Sequence, residues 1–306
     1  MNNKFVIGSR GSRLALIQAE TVARELQQAH PGIEIEISKI MTEGDRNRDI
    51  SIDKAGDTGI FVKALEDALL TGIIDMAVHS LKDLPTLLPG GLFLAAVTQR
   101  LDPRDALVAS APLAELNPGS RIGTGSLRRT AQLRHIRPDL QVCSIRGNVD
   151  SRLRRVSSGQ LEGIIVAAAA LLRLGWDDKI TGYLPLESFL PAVGQGALAV
   201  EARDDDDRVI KMIEPINHLP TWQAMAAERA FLHAVEGGCR TPVAALATVH
   251  DGILEIAAMV ATRDGSKIMK DSYRGSAGSP QEAGDNLARR MLENGAAGLI
   301  KDTRCI

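Results

Sequence analysis

The sequence predicts an α/β fold, with two sheet-and-helix units followed by a smaller α+β unit, on three observations. Through the first two thirds of the 306 residues, short apolar strands alternate with segments of helical spacing. The last third instead contains a helix, three successive strands and a closing helix. The chain is longer than an ordinary single domain and 44% of it is hydrophobic, so two or three packed cores are expected.

The first unit is predicted from the βαβ rhythm of residues 5–97, which is typical of parallel strands. Strands are expected at 5–7, 33–37, 75–78 and 92–97, and helices at 14–28, capped by Ser12, and at 61–70. The polar stretch Thr42–Gly59 has no hydrophobic period, so it is either a solvated surface loop or a mobile lid.

The other two units follow Leu101–Arg104, a segment with a proline that we expect to act as a hinge. In the second unit, strands are expected at 107–109, 140–145 and 163–168, and helices at 127–136 and 149–156. An isolated apolar strand at 197–200 precedes the acidic run Asp204–Asp207. In the third unit, helices are expected at 222–235 and 280–293, on either side of strands at 243–249, 253–261 and 267–273.

Composition and charge exclude several classes of protein. A net charge of -2 and an aromatic content of 3% argue against nucleic-acid binding, which uses basic surfaces and aromatic stacking. Since no apolar run reaches the length of a membrane span and the first residues have no apolar signal core, we expect neither a span nor an export signal. The three cysteines form no CxxC pair, and there is no HExxH motif or His cluster, which predicts a reduced, cytoplasmic protein without a metal site.

Positive charge is concentrated between residues 121 and 155. This segment has nine arginines and only two acids, Asp139 and Asp150, for a net charge of +7. In a nearly neutral chain, such a patch favours a small anionic ligand over a polyanion. Arg128 and Arg129 open a helix directly after Gly-Thr-Gly-Ser, and the N–H groups at a helix start bind anions.

A second pair of arginines follows the next predicted strand. Arg146 lies where that strand ends, and Arg152 lies further along the helix that follows. Two strand ends of one sheet therefore direct arginines to one edge, where open α/β sheets bind their ligands. The alternative is a solvated basic face, to which we assign Arg134, Arg137, Arg154 and Arg155.

Two other segments could provide reactive groups. Asp83 lies in a tight loop between the strand ending near Val78 and Pro85, where a carboxylate can move a proton or stabilise a developing cation. The same loop is equally consistent with a Lys–Asp surface turn. Cys239 follows two glycines and precedes Arg240, which favours the thiolate, but on the residues alone a buried inert thiol is the preferred interpretation.

Seven motifs in a fixed order resemble those of one enzyme family. In chain order they are IGSRGSRLALIQ, AVHSLKDLP, DPRDAL, IGTGSLRR, SIRGNVDSRL, LPAVGQGAL and EGGCRTPVA. On these motifs the chain resembles the hydroxymethylbilane synthases, also called porphobilinogen deaminases, from Val6 to about Pro242, with weaker likeness to the end.

The resemblance implies two α/β domains like those of type II periplasmic binding proteins, plus a small C-terminal α+β domain. Domain 1 would be discontinuous, at residues 1–99 and 196–214. Domain 2 would be residues 100–195, rich in arginine, and domain 3 residues 215–306, with the cofactor cysteine.

The resemblance also implies an activity, a transferase of haem and porphyrin biosynthesis. The family joins four porphobilinogen molecules head to tail into the linear tetrapyrrole hydroxymethylbilane and releases ammonia at each step. A dipyrromethane cofactor primes the chain, held through a thioether by the cysteine of the EGGC motif, here Cys239. The resemblance thus favours a functional Cys239, in a cytoplasmic monomer with no nucleic-acid or membrane partner.

The site residues implied by the resemblance fit the charge of the substrate, since each porphobilinogen has two carboxylates and arginine binds carboxylates directionally. Asp83 and Lys82 would be catalytic, with Asp83 stabilising positive intermediates. The implied cofactor ligands are Lys82, Asp83, Thr124, Ser126, Arg128, Arg129 and Arg146, besides Cys239. The implied substrate ligands are Arg10, Ser12, Ser80, Arg146, Arg152, Arg173 and Gln195.

Two positions depart from the family pattern. Thr58 stands where the family often has Lys, so a carboxylate contact is expected to be lost or moved, and Gly125 stands where Ser is common.

Two other functions compete with this one. A non-catalytic cytoplasmic binding protein for a small polycarboxylate would explain the arginines but not an exposed cysteine. A transcriptional effector domain is disfavoured because no helix-turn-helix segment is apparent.

Overall fold

The structure is a computed structural model that describes residues 3–41, 59–235 and 241–304. Thr58, Cys239 and all of the predicted loop or lid except Gly59 lie outside these ranges. The described residues form three β-sheets with flanking helices and group into two compact units. The first unit comprises residues 1–101 and 197–222, and the second comprises 102–196 and 223–306.

The helices and strands are named in chain order. They are β1 (Lys4–Arg10), α1 (Arg13–Ala29), β2 (Glu34–Ile40), α2 (Gly59–Leu70), β3 (Met76–Ser80), β4 (Leu92–Val97), β5 (Asp105–Ala109), β6 (Arg121–Gly123), α3 (Leu127–Ile136), β7 (Gln141–Cys143), α4 (Val149–Ser157), β8 (Gly163–Ala167), α5 (Ala168–Leu174), β9 (Gly182–Tyr183), β10 (Leu198–Arg203), α6 (Asp207–Ile213), α7 (Leu219–Ala234), β11 (Val243–His250), β12 (Ile253–Ala261), β13 (Ile268–Ser276), α8 (Pro280–Met291) and α9 (Ala297–Arg304).

The first unit is built on a sheet with the strand order β2-β1-β3-β10-β4. β1 pairs in parallel with β2 and β3, whereas β10 pairs antiparallel with β3 and β4. One face of the sheet packs against α1 and α6 around Ile7, Leu26 and Val200. The other face packs against α2 around Leu65 and Ala77. Helices on both faces bury the apolar residues of the central strands, as the βαβ rhythm predicts.

The second unit contains a sheet with the strand order β7-β6-β8-β5-β9. β6 pairs in parallel with β7 and β8, and β5 pairs antiparallel with β8 and β9. Its two faces form separate cores, one around Ile164 and Leu171 and the other around Ile122, Leu133 and Phe189. β6 thus lies between two parallel neighbours, so the loops that follow these three strands meet at one edge.

The same unit contains a C-terminal antiparallel sheet with the order β11-β12-β13. Helix α8 buries Leu287 and Met291, and it packs against β12 and β13. The sheet also packs against the arginine-rich helix, because Ala244 and Met259 form a cluster with Ala131 of α3 and with Leu190. The structure therefore confirms the predicted fold class, two sheet-and-helix arrangements with a small strand-rich C-terminal part.

The regular elements follow the sequence patterns closely, and the differences have local causes. Strands β6 and β9 were not predicted because three and two residues are too short to show a period. Helix α6 begins inside the acidic run, where the Asp206 carboxylate accepts a hydrogen bond from the Val209 N–H at 3.1 Å and caps the helix.

Within the described residues, no helix combines the length and the apolar character needed to cross a bilayer.

The turn between β12 and β13 tests the packing of this sheet on α3. Gly265 has a φ of +73°, and a Cβ there would clash with the backbone oxygen of Ala131. We expect Gly265→Ala to lower the free energy of unfolding by roughly 2–4 kcal/mol, because a left-handed backbone and a backbone clash add. Urea denaturation measures the loss.

The matched control is Gly252→Ala, in the turn between β11 and β12. Gly252 has a similar φ of +75°, but nothing lies within 4 Å of its added Cβ. We therefore expect this variant to lose only about 1 kcal/mol, the cost of the backbone conformation. Equal losses in the two variants would contradict the close packing of the β12–β13 turn on α3.

Candidate functional site

In the first unit, polar side chains collect where β1 and β3 end. These strands are parallel neighbours, with Gly8 opposite Ala77, so their carboxyl ends share one edge of the sheet. This edge holds five of the predicted site residues: Arg10, Ser12, Ser80, Lys82 and Asp83. Ser12 caps α1, as predicted, and its Oγ accepts a hydrogen bond from the Ala15 N–H at 3.3 Å.

Asp83 belongs to a short 3-10 turn that is anchored to the sheet. The first residue of the turn, Leu81, is buried, and its N–H donates to the carbonyl oxygen of Ala197 at 3.1 Å. Asp83 itself is exposed, and its carboxylate forms no hydrogen bond or ion pair with the described residues. The fold therefore presents a carboxyl group on a fixed turn, with its oxygens available to a ligand.

A buried cluster of titratable side chains lies in the same unit, on β3, β10 and α2. The His79 Nε2 is 3.0 Å from the Glu201 Oε2, and both side chains are buried. The other carboxylate oxygen of Glu201 is buried without a hydrogen-bond partner. Glu66 of α2 lies nearby, and its burial, with the charge of Glu201 second, raises the pKa of its carboxyl group. The sequence analysis did not find this cluster, since its members lie on separate elements.

In the second unit, the corresponding edge is formed by the ends of β6, β7 and β8. The loop after β6 is closed by hydrogen bonds between near neighbours in the chain, and the Thr124 Oγ1 accepts from the Ser126 N–H at 3.2 Å. Ser126 in turn caps α3 by accepting from the Arg129 N–H at 3.4 Å. Gly125 between them leaves little space, since a Cβ there would lie 2.7 Å from the carbonyl oxygen of Ile145. A serine at this position would need the backbone to move.

Arg128 and Arg129 meet at a single buried carboxylate, that of Asp105. The Arg128 Nη1 donates to one oxygen of Asp105 at 2.7 Å. The Arg129 Nε and Nη2 donate to the other oxygen at 3.0 and 2.7 Å. Asp105 is 0% exposed, and the two arginines are 5% and 6% exposed. Burial therefore excludes a solvated basic face for Arg128 and Arg129, whereas Arg134, Arg154 and Arg155 are exposed.

The ion cluster sets the charge of this edge. Burial alone would raise the pKa of Asp105, but Arg128 and Arg129 outweigh it and hold that pKa well below its ordinary range. The carboxylate is thus ionised at neutral pH, and its stabilising contribution is lost only as the pH falls through this low folded-state value. Two guanidinium groups and one carboxylate leave a net positive charge in a buried position.

Gln195 completes the buried network. It is fully buried, and its Nε2 donates to the Asp105 Oδ1 at 2.9 Å and to the carbonyl oxygen of Pro103 at 2.8 Å. Gln132 of α3 forms a second link, with its Nε2 on the Leu190 carbonyl at 2.9 Å and its Oε1 accepting from the Leu190 N–H at 2.7 Å. Gln195 thus ties the segment that precedes β5 to the ion cluster, and Gln132 ties Leu190 to α3.

The remaining predicted arginines lie on the loops and helices that follow β7 and β8. Arg146 is exposed in the loop after β7. Arg152, in the first turns of α4, donates from its Nε to the carbonyl oxygen of Gly147 at 2.8 Å. Arg173, near the end of α5, donates to the carbonyl oxygen of Gly196 at 2.9 Å. Cys239, the predicted cofactor attachment site, lies outside the described residues.

Asp105 is the site residue that the sequence analysis missed. Its only sequence signal is an acid directly before an apolar strand, in the motif DPRDAL, and nothing nearby in the chain pairs with it. It reaches the edge because β5 is antiparallel to β8, which sets Asp105 opposite Ala167 at the carboxyl end of β8. Together, the fold and the site define an α/β protein with guanidinium and N–H donors, of the kind suited to anions, at the ends of its parallel strands.

Comparison with known proteins identifies the family. Residues 5–211 match the family model described as porphobilinogen deaminase, dipyromethane cofactor binding domain, and residues 222–293 match porphobilinogen deaminase, C-terminal domain. The porphobilinogen deaminase of Syntrophomonas wolfei is 48% identical over 97% of this chain and 98% of its own length. That of Geobacillus kaustophilus is 47% identical over 97% and 96%. The chain belongs to the porphobilinogen deaminase family.

Comparison with solved structures gives matches of much lower sequence identity. They include the methionine binding protein MetQ, with a TM-score of 0.45 and 13% identity over 71% of this chain and 90% of that one. A TRAP periplasmic solute binding protein from Desulfovibrio salexigens has a TM-score of 0.42 and 10% identity over 71% and 73%.

Proposed function

We propose that the chain catalyses the reaction of its family. Four porphobilinogen molecules are joined head to tail into hydroxymethylbilane, and each step releases one ammonia. The observation that carries this proposal is the match of nearly the whole chain to porphobilinogen deaminases at 48% identity, including the domain that binds the cofactor. A purely binding function, the competing hypothesis, has no counterpart among these relatives.

The groups at the edge of the second unit fit a dipyrromethane cofactor with its carboxylates. Arg128, the hydroxyls of Thr124 and Ser126, and the N–H groups at the start of α3 are all donors suited to carboxylate oxygens. When bound, the cofactor supplies the pyrrole carbon to which the first substrate is joined. We propose that Cys239 holds it through a thioether, since EGGC is the family's attachment motif.

The exposed or half-buried arginines bind the carboxylates of the growing chain. Each pyrrole has two carboxylates, so their mutual repulsion increases with every unit added. Arg10, Arg146, Arg152 and Arg173 offset this repulsion with planar, positively charged guanidinium groups, and Ser12 and Ser80 add neutral donors. Gln195 is fully buried with its amide nitrogen bonded to protein oxygens, so it supports Asp105 rather than the substrate. The cationic groups thus bind substrate and product alike, while other residues act on the reacting atoms.

Asp83 stabilises the positive charge that develops on the substrate as ammonia leaves. Its carboxylate is exposed on an anchored turn, so it accepts hydrogen bonds from pyrrole N–H groups without first breaking an ion pair among the described residues. The same carboxylate takes the proton lost from the ring carbon that forms the new bond. Lys82, its neighbour in the turn, binds a substrate carboxylate.

We further propose that the protein is a cytoplasmic monomer.

The covalent cofactor provides the first test. We expect the intact mass of the purified wild-type chain to exceed the sequence mass by two pyrrole units. Cys239→Ser is expected to have the unmodified mass and no activity, while Cys143→Ser, at a described free cysteine, keeps the added mass. An unmodified, inactive wild-type chain would overturn the proposed function and favour the polycarboxylate-binding alternative.

The role of Asp83 is tested by Asp83→Asn, which removes the charge and keeps the shape. We expect turnover to fall by a factor of about 100 or more, because the substrate cation loses its stabilising carboxylate. The added mass and the thermal unfolding midpoint should stay unchanged. Asp67→Asn, at an exposed acid of α2, is the control and should retain full turnover, and normal turnover of Asp83→Asn would remove Asp83 from the mechanism.

The role of the exposed arginines at the edge of the second unit is tested by Arg146→Leu. Loss of a charge-assisted contact is expected to raise KM by about tenfold and leave the far-UV circular dichroism spectrum unchanged. Arg155→Leu, at an exposed arginine of α4 assigned to the solvated face, should leave KM at the wild-type value. Equal kinetics for the two variants would return Arg146 to the solvated face.

A further inference from the structure

Asp105 is the buried acid at which two of the proposed cofactor ligands converge. We propose that Asp105 is a positioning residue, which fixes Arg128 so that one edge of its guanidinium group is held open for a carboxylate of the cofactor. Asp105 does not touch the ligand, and it acts through Arg128. This inference rests on the proposed function, because it explains how one of the proposed cofactor ligands is held in position.

The contacts of Arg128 are uneven across its guanidinium group. Its Nη1 is fully engaged, with the Asp105 Oδ2 and the carbonyl oxygen of Leu190 each at 2.7 Å. Its Nε and Nη2 donate to no described residue, and neither belongs to the buried polar atoms that lack a partner. These two nitrogens are therefore still reached by solvent, although the residue is 5% exposed. Arg128 is thus anchored through its Nη1, while the edge formed by its Nε and Nη2 is available to a ligand.

Arg129 is held differently by the same carboxylate. Its Nε and Nη2 donate to the Asp105 Oδ1, and its Nη1 donates to the carbonyl oxygen of Ile165 at 3.2 Å. Every nitrogen of this guanidinium group thus has a protein acceptor. Arg129 gives the site positive charge and a rigid wall, whereas Arg128 has the open donor edge.

A carboxylate is needed at position 105 for two reasons. Two guanidinium groups buried side by side repel each other, and the negative charge of Asp105 reverses that repulsion. The four hydrogen bonds to its oxygens, from Arg128, Arg129 and Gln195, also fix side chains that would otherwise sample many rotamers. This ordering is completed when the chain folds, so it does not weaken ligand binding later.

The direct test is Asp105→Asn in the full-length chain, with Asp139→Asn as the matched control. Asp139 accepts from Arg137 at 2.7 Å, so the control also removes an Asp–Arg pair of the second unit, but an exposed one. We expect Asp105→Asn to lower the fraction of chains with the added cofactor mass by at least tenfold. In the chains that do contain cofactor, KM should rise about tenfold with little change in kcat. The control should match the wild type in both readouts.

Asp105→Glu decides the question if the asparagine variant does not fold. The longer side chain keeps the charge but moves the carboxylate, so a positioning role predicts a folded chain with a raised KM and reduced cofactor loading. A purely structural role predicts a lower unfolding midpoint with KM and loading unchanged, and that result in the folded variant would overturn the inference. The proposed function fails separately, through a wild-type chain that has no cofactor mass and releases no ammonia.

Discussion

The site depends on the burial of cationic groups beside a buried carboxylate. An unpaired guanidinium group inside a protein is costly, and breaking a buried ion pair typically costs about 3–5 kcal/mol. Asp105 removes that cost for Arg128 and Arg129 together, and both arginines are then fixed within α3 and its surroundings. A protein that must bind many carboxylates at once gains from donors that are already ordered, because freely moving side chains would lose entropy at every contact.

Strand direction explains why the charged groups lie where they do. In each unit, the proposed site residues lie on loops that follow parallel strands. An antiparallel strand of the same sheet contributes one buried acid from a distant part of the chain. In the first unit that strand is β10, with Glu201 beside His79, and in the second it is β5, with Asp105 beside α3. Both acids lie close to residues with proposed roles in catalysis or cofactor binding.

Local signals in the sequence were enough for most elements, and distant partners were not. Ser12 was predictable as a helix cap, because a cap depends on the residues beside it. The role of Arg128 as an anion ligand stays a prediction, and the structure shows this side chain paired with Asp105. Asp105 pairs with groups 23 and 24 positions away, and Glu201 with one 122 positions away, so no periodicity indicates them. The isolated strand near residue 197 was recognised as a strand, but its place in the first sheet depends on pairing that only the fold specifies.

The position of β10 has a consequence for how the protein is made. In the first sheet, β4 has β10 as its hydrogen-bonded neighbour, yet about a hundred residues separate them in the chain. As the polypeptide leaves the ribosome, β3 and β4 emerge with exposed edges, and the whole of residues 102–196 must be synthesised before β10 appears to join them. The sheet that presents Asp83 is therefore completed late, and a nascent chain stopped before residue 198 has unpaired edges open to aggregation.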